Sequence, residues 1–164
     1  MPEPHTAAIA LGSNLPSDQG SPRRNLHSAI ERIGALGRVT AISRFLVTAP
    51  EMYRDQPDFL NAALLLETAL EPLDLLRALL AIELAMGRVR TGVPAKGPRI
   101  IDLDLVLFDE VVMTSAELTL PHPGLAERRF VLEPLSQIAP EWVHPATGET
   151  VAEMLRGLAN PRLA

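Results

Sequence analysis

Two aspartates, Asp102 and Asp104, stand one residue apart inside the apolar run Ile100–Phe108. Alternation of Asp102 and Asp104 with Leu103 and Leu105 predicts a strand with both carboxylates on one face and the leucines on the other. Two carboxylates about 7 Å apart along a strand make a hard oxygen site. Mg²⁺ suits it, because that ion takes one or two carboxylates and fills its remaining positions with water and substrate phosphates. Asp is disfavoured in strands and like charges on one face repel, so a cation should compensate. The preceding segment, Arg88–Arg99, supplies Arg88, Arg90, Lys96 and Arg99 and no acid, a run of +4. Cations beside a metal-binding pair are what polyphosphate transfer needs as charge shifts in its transition state. Gly92, Pro94, Gly97 and Pro98 make the run a long loop able to close over a nucleotide. Taken singly, Asp-x-Asp is also compatible with an exposed acidic face, and the basic run with a solvated loop.

Other chemistries are excluded or unsupported. There is no Cys, hence no disulfide, thiolate nucleophile, Cys-ligated zinc or iron–sulfur cluster. Neither a G-x-x-x-x-G-K-[ST] phosphate loop nor a G-x-G-x-x-G dinucleotide fingerprint occurs. The net charge of −5 argues against coating nucleic acid or an anionic membrane. No signal peptide or membrane span is predicted, which fits a cytoplasmic protein. The 15 basic residues comprise 14 Arg and Lys96 alone, and the planar Arg fork suits phosphate. Gly12-Ser13-Asn14 offers a turn whose backbone could donate to an anion. His122, fixed between Pro121 and Pro123, could meet a phosphate, and Phe59 and Phe130 could stack on a flat heterocycle or fill the core.

The elements that must position these groups follow from periodicity. Ala7–Leu11 reads as a buried strand. Leu26, Ile30, Ile33 and Leu36 mark a helix entered near Pro22 and stopped by Gly37. Val39–Val47 reads as a strand, and Phe59–Leu70 as another despite its Ala and Leu content. Pro72 opens a second helix ended by Gly87; Ile100–Phe108 is the Asp strand and Leu118–Leu120 a short one. Arg128–Ile138 and Glu149–Leu158 read as closing helices. The order β-α-β-β-α-β predicts an α+β, ferredoxin-like core with an antiparallel sheet and added C-terminal helices. The 164 residues suit one domain, 1–164.

Together these pieces resemble the 6-hydroxymethyl-7,8-dihydropterin pyrophosphokinase family of folate biosynthesis. The matching text is Ala10-Leu11-Gly12-Ser13-Asn14-Leu15, Asp55-Gln56-Pro57-Asp58-Phe59-Leu60-Asn61-Ala62, and Ile82-Glu83 with Gly87-Arg88-Val89-Arg90. It continues through Gly97-Pro98-Arg99 with Ile101-Asp102-Leu103-Asp104 to Leu120-Pro121-His122-Pro123 and Arg128. The resemblance implies pyrophosphate transfer from ATP to the pterin hydroxymethyl group, with AMP released. It implies that Asp102 and Asp104 bind two Mg²⁺ ions, and that Arg88 and Arg99 contact the ATP phosphates and steady the transition state, assisted by Arg90. His122, Arg128 and Glu83 would lie at the ATP site. Phe59 and Phe130 would sandwich the pterin, Asn61 would hydrogen-bond its edge and Thr48 would complete the pocket. A monomer is implied. Lys96 and Pro123 replace aromatic residues found in some members.

Two other readings fit a ferredoxin-like fold: a metal-dependent nucleotidyltransferase or nuclease, and a non-catalytic nucleic-acid-binding module. The first needs a path for a nucleic-acid strand, to which a net −5 offers little. The second needs exposed aromatics on a basic sheet face, which two aspartates would make acidic.

Overall fold

A computed structural model of the chain describes residues 3–18, 20–49, 55–88 and 98–159. Its elements are β1 (His5–Ser13), α1 (Pro22–Ile33), β2 (Arg38–Ile42), β3 (Leu46–Thr48), β4 (Phe59–Thr68) and α2 (Pro72–Ala85). They continue with β5 (Asp102–Phe108), β6 (Met113–Thr114), β7 (Thr119–Leu120), α3 (Arg129–Ile138) and α4 (Val151–Ala159). The main sheet runs β2-β4-β1-β5, with β3 also on β4, and every pairing is antiparallel. This is the α+β arrangement expected, a ferredoxin-like core with helices added after it.

The two sheet faces carry different layers. On one, Ile9, Leu11, Leu64, Leu66, Leu103 and Leu105 pack with Leu26 and Ile33 of α1 and Leu75 and Leu79 of α2. On the other, Ala8, Ala10, Ala63 and Val106 pack with Val131, Leu132 and Leu135 of α3 and Val151 and Met154 of α4. Small alanines on the strands let α3 lie close to the sheet. The second layer ends before the sheet does, and the Asp102 end of that face is left for other use.

Several expectations are corrected in detail. The Gly12-Ser13 stretch is strand, because β1 pairs with β4 as far as Ser13↔Leu60. Helix α1 starts with Pro22 after the Ser21 cap, as its missing N–H allows, but ends at Ile33. A 3₁₀ turn, Gly34–Leu36, intervenes before Gly37. The single strand expected over Val39–Val47 is two, β2 and β3. At the break Ser43 N–H donates to Ala63 O while Ser43 Oγ accepts from Ala63 N–H, both at 2.9 Å. The Asp strand begins at Asp102 rather than Ile100, and α3 begins at Arg129. Among the described residues no helix is long and apolar enough to cross a membrane.

Candidate functional site

Register builds the floor of the site. Gly12 lies between Asn61 of β4 and Asp102 of β5, and Ala10 lies between Ala63 and Asp104. One row therefore reads Asn61–Gly12–Asp102 and the next Ala63–Ala10–Asp104, on the face that α3 partly covers. Phe130 and Val131 of α3 close a small cleft above Gly12, Asn61, Asp102 and Asp104. A Cβ on Gly12 would sit 2.9 Å from Asn61 Oδ1, so only glycine leaves that amide where it is. The Asn61 amide donates to Thr48 Oγ1, joining two of the residues expected at the pterin pocket.

The cations arrive from the end of α2. Gly87 takes φ +93°, a left-handed conformation that costs glycine little. Gly87 N–H donates to Leu84 O and Arg88 N–H to Glu83 O, each at 3.0 Å, the pattern of a helix closed by a Schellman turn. That turn folds Arg88 back onto its own helix. Its Nη1 lies 2.6 Å from Glu83 Oε2 and 2.8 Å from Asp102 Oδ1. Glu83 is 2% exposed, and the same Oε2 accepts Leu103 N–H at 2.7 Å, binding α2 to β5. Arg99 Nη1 approaches the other Asp102 oxygen at 3.2 Å. Asp102 is thus held between two guanidiniums. Burial disfavours charge on Arg88, but Asp102 and Glu83 outweigh it and hold Arg88 more firmly protonated than usual. Its Nε is buried with no hydrogen-bond partner.

Asp104 has no such clamp among the described residues. Burial first, and then the negative charge of Asp102, push its carboxyl up to about 7; Arg128 pulls the other way, Glu83 adds to the rise and Arg88 opposes it. On the far side of Asp104, His122 and Arg128 line a shallow pocket with Val106, Leu125 and Val131. His122 N–H donates to Val106 O at 2.9 Å, and its Nδ1 accepts Gly124 N–H at 3.2 Å. Both expected stacking rings are covered by cations: Arg99 Cζ lies 5.3 Å from the Phe59 ring centre and Arg128 Cζ 5.9 Å from that of Phe130.

The structure thus brings together Glu83, Arg88, Arg99, Asp102, Asp104, His122 and Arg128 on one side, with Thr48, Phe59, Asn61 and Phe130 around the same cleft. Arg90 and Lys96 lie outside the described residues. The Gly12-Ser13-Asn14 backbone is not a free donor set: Asn14 N–H and Leu15 N–H donate to Arg99 O at 3.1 and 3.3 Å. The side chains of Asn14 and Gln56 were missed as contributors. Their motifs were visible, but their bond to each other spans 42 residues. Among the described residues no three His, Cys, Asp or Glu side chains are grouped to hold a metal by themselves.

An antiparallel sheet with helices on both faces, and carboxylates interleaved with guanidiniums at one end, defines the α+β class of the protein. Comparison with known proteins narrows the class. Residues 8–140 match the family described as 7,8-dihydro-6-hydroxymethylpterin-pyrophosphokinase, and the chain belongs to that family. It is 43% identical over 149 residues to the folic acid synthesis protein fol1 of Schizosaccharomyces pombe, covering 91% of this chain and 20% of that one. It is 37% identical over 160 residues to the 2-amino-4-hydroxy-6-hydroxymethyldihydropteridine pyrophosphokinase of Haemophilus influenzae, covering 96% of each. The chain therefore spans about a fifth of the fungal relative and nearly all of the bacterial one. Among solved structures, a triple mutant of Plasmodium falciparum HPPK-DHPS superposes with a TM-score of 0.77 at 15% identity. That match covers 96% of this chain and 44% of the other, a likeness of fold.

Proposed function

We propose that this chain transfers the pyrophosphoryl group of ATP to the hydroxymethyl oxygen of 6-hydroxymethyl-7,8-dihydropterin, releasing AMP, as a step of folate biosynthesis. The observation that carries the reading is the Asp102 carboxylate clamped by Arg88 and Arg99 beside Asp104, in a chain of this family.

The donor set fits Mg²⁺. Two carboxylates on one strand face, with no third His, Cys, Asp or Glu grouped with them among the described residues, suit an ion that completes its shell with water and phosphate. Asp102 and Asp104 would hold two such ions, which supply charge neutralisation on the triphosphate when bound. This chain's own residues do the rest. Arg88 and Arg99 offer guanidinium donors to the phosphate oxygens. Glu83 keeps Arg88 in place. Arg90, His122 and Arg128 complete the nucleotide side. The pterin enters between Phe59 and Phe130, a flat ring taking the places now held by flat guanidiniums, with Asn61 and Thr48 at its edge. The described residues offer no evident protein nucleophile, so positioning and electrostatics carry the rate.

We also place the chain as one domain, 1–164, working as a cytoplasmic monomer on these two small molecules, without nucleic acid or membrane. The test is incubation with Mg²⁺, ATP and the reduced hydroxymethylpterin. AMP formed only when pterin is present supports the reading. ADP as product, or nucleotide turnover independent of pterin, refutes it.

A further inference from the structure

We propose that Ser43 is a positioning residue for the pterin, because its hydroxyl holds the register shift that brings Thr48 onto the face of Asn61. The inference rests on the preceding reading, in which Thr48 and Asn61 meet the pterin edge. Strand β2 pairs Ala41 with Leu65 and Ile42 with Leu64. Continued without a break, that register would set Phe45 opposite Asn61 and Val47 opposite Phe59. Instead β3 pairs Leu46 with Asn61, Val47 with Leu60 and Thr48 with Phe59. One extra residue is therefore stored between Ser43 and Leu46, where Arg44 and Phe45 together face Ala62.

The Ser43 side chain makes this possible. In a regular antiparallel pair, Ala63 N–H would donate to the Ser43 carbonyl. Here it donates to Ser43 Oγ at 2.9 Å, while Ser43 N–H donates to Ala63 O at 2.9 Å. The same hydroxyl donates to Arg44 O at 2.9 Å, fixing the bend of the following peptide. Gln137 of α3 accepts the Arg44 N–H at 2.8 Å. Ser43 is 6% exposed, so water is a poor substitute for its bonds. Beyond the bend, Phe45 turns to the α1 face, its ring centre 5.0 Å from that of His27. Thr48 turns to the other face, where its Oγ1 accepts the Asn61 amide and sets which way that amide points. Side chains alternate along a strand, so a slip of one residue would reverse both.

The test is Ser43→Ala, read by pterin kinetics and by NMR. Without the hydroxyl, Ala63 N–H should return to the backbone carbonyl of residue 43 and draw residues 46–48 back by one. The pterin KM should rise about tenfold or more, while affinity for an α,β-methylene ATP analogue with Mg²⁺ stays within about twofold. The Hα–Hα NOE that joins Val47 to Leu60 in the wild type should give way to one from Leu46 to Leu60. Ser43→Thr keeps the hydroxyl, so it should keep the wild-type NOE and a pterin KM within about threefold of wild type. Ser43→Cys, close in shape but a weak acceptor, should raise that KM at least about threefold, and it serves if Ser43→Ala does not fold. A wild-type pterin KM in folded Ser43→Ala or Ser43→Cys overturns the proposal. So does a raised KM in Ser43→Ala with the NOE unmoved, or an equal loss of affinity for the ATP analogue. Failure of the wild-type chain to form AMP overturns instead the reading on which it rests.

Discussion

Replacing Asp104 by Asn should abolish turnover and at the same time stabilise the ligand-free protein, increasingly so as pH rises. Burial and Asp102 push the Asp104 carboxyl from 3.8 to about 7. Between these values the folded chain keeps the proton and the unfolded chain has lost it. Wild-type stability therefore falls as pH rises through this window and levels off above about pH 7. A rise from 3.8 to about 7, at about 1.4 kcal/mol per tenfold change in proton affinity, sets a ceiling of about 4 kcal/mol. Asn has no proton to lose, so the two proteins should be nearly equal at about pH 4 and diverge toward pH 8, with the Asp104→Asn variant the more stable. Urea unfolding in the presence of a chelator, at several pH values, measures the difference directly. Groups shared by both proteins, such as His5, drop out of it. A stability difference that stays within about 0.5 kcal/mol from pH 4 to pH 8, or that favours Asp at high pH, would refute the argument that burial and Asp102 disfavour the Asp104 carboxylate.

Further expectations concern other parts of the molecule. Gly12→Ala should fold with stability close to wild type, since a strand gains from Ala what the contact with Asn61 takes away, but should raise the pterin KM about tenfold or more. An unchanged KM would mean that Asn61 does not face the substrate. Glu83→Ala should cost about 3 kcal/mol in chemical denaturation, leaving Leu103 N–H and half of Arg88 unpaired, while Glu83→Gln, which can still accept from Leu103, should cost less. Equal losses would show that the backbone bond is unimportant. Arg99→Ala should lower kcat far more than it weakens pterin binding, as single-turnover kinetics would separate. His5, bonded to Asp109 and more weakly favoured by Glu71, has its pKa raised above 6.5. Its stabilising contribution is complete below 6.5 and lost as pH rises through the raised value, so wild type and His5→Ala should converge in thermal melts at alkaline pH.

What the sequence revealed was whatever repeats locally. The alternation through Asp102 and Asp104 placed both carboxylates correctly on one face, because a strand's side chains alternate whatever surrounds it. Phe59–Thr68 was legible as a strand only against the helix preference of its Ala and Leu; pairing with β1 on one side and β2 and β3 on the other overrides that preference. Gly12-Ser13-Asn14 misled, since these residues favour turns in isolation while β1 is held on both flanks as far as Gly12. The work of Glu83 was hidden for a different reason. A lone acid on a helix shows its purpose only once the edge strand presents Leu103 N–H beside it. Asn14 and Arg99 meet across 85 residues of chain, a distance no local pattern encodes.

The placement of Gly12 between two paired strands divides the site into parts with unequal freedom to evolve. Its floor is paired strand, in which a slip of one residue in β4 would turn Asn61, and one in β5 would turn Asp102, to the opposite face. Selection for a new ligand would find little to adjust there without losing the carboxylates. The rim is built differently: Arg88 hangs from a helix end, Arg99 from the lead-in to an edge strand, and Phe130 from the first turn of α3. Each can change without disturbing a sheet register. Amide exchange should be slowest beneath the rim, at Ala10, Leu11 and Gly12.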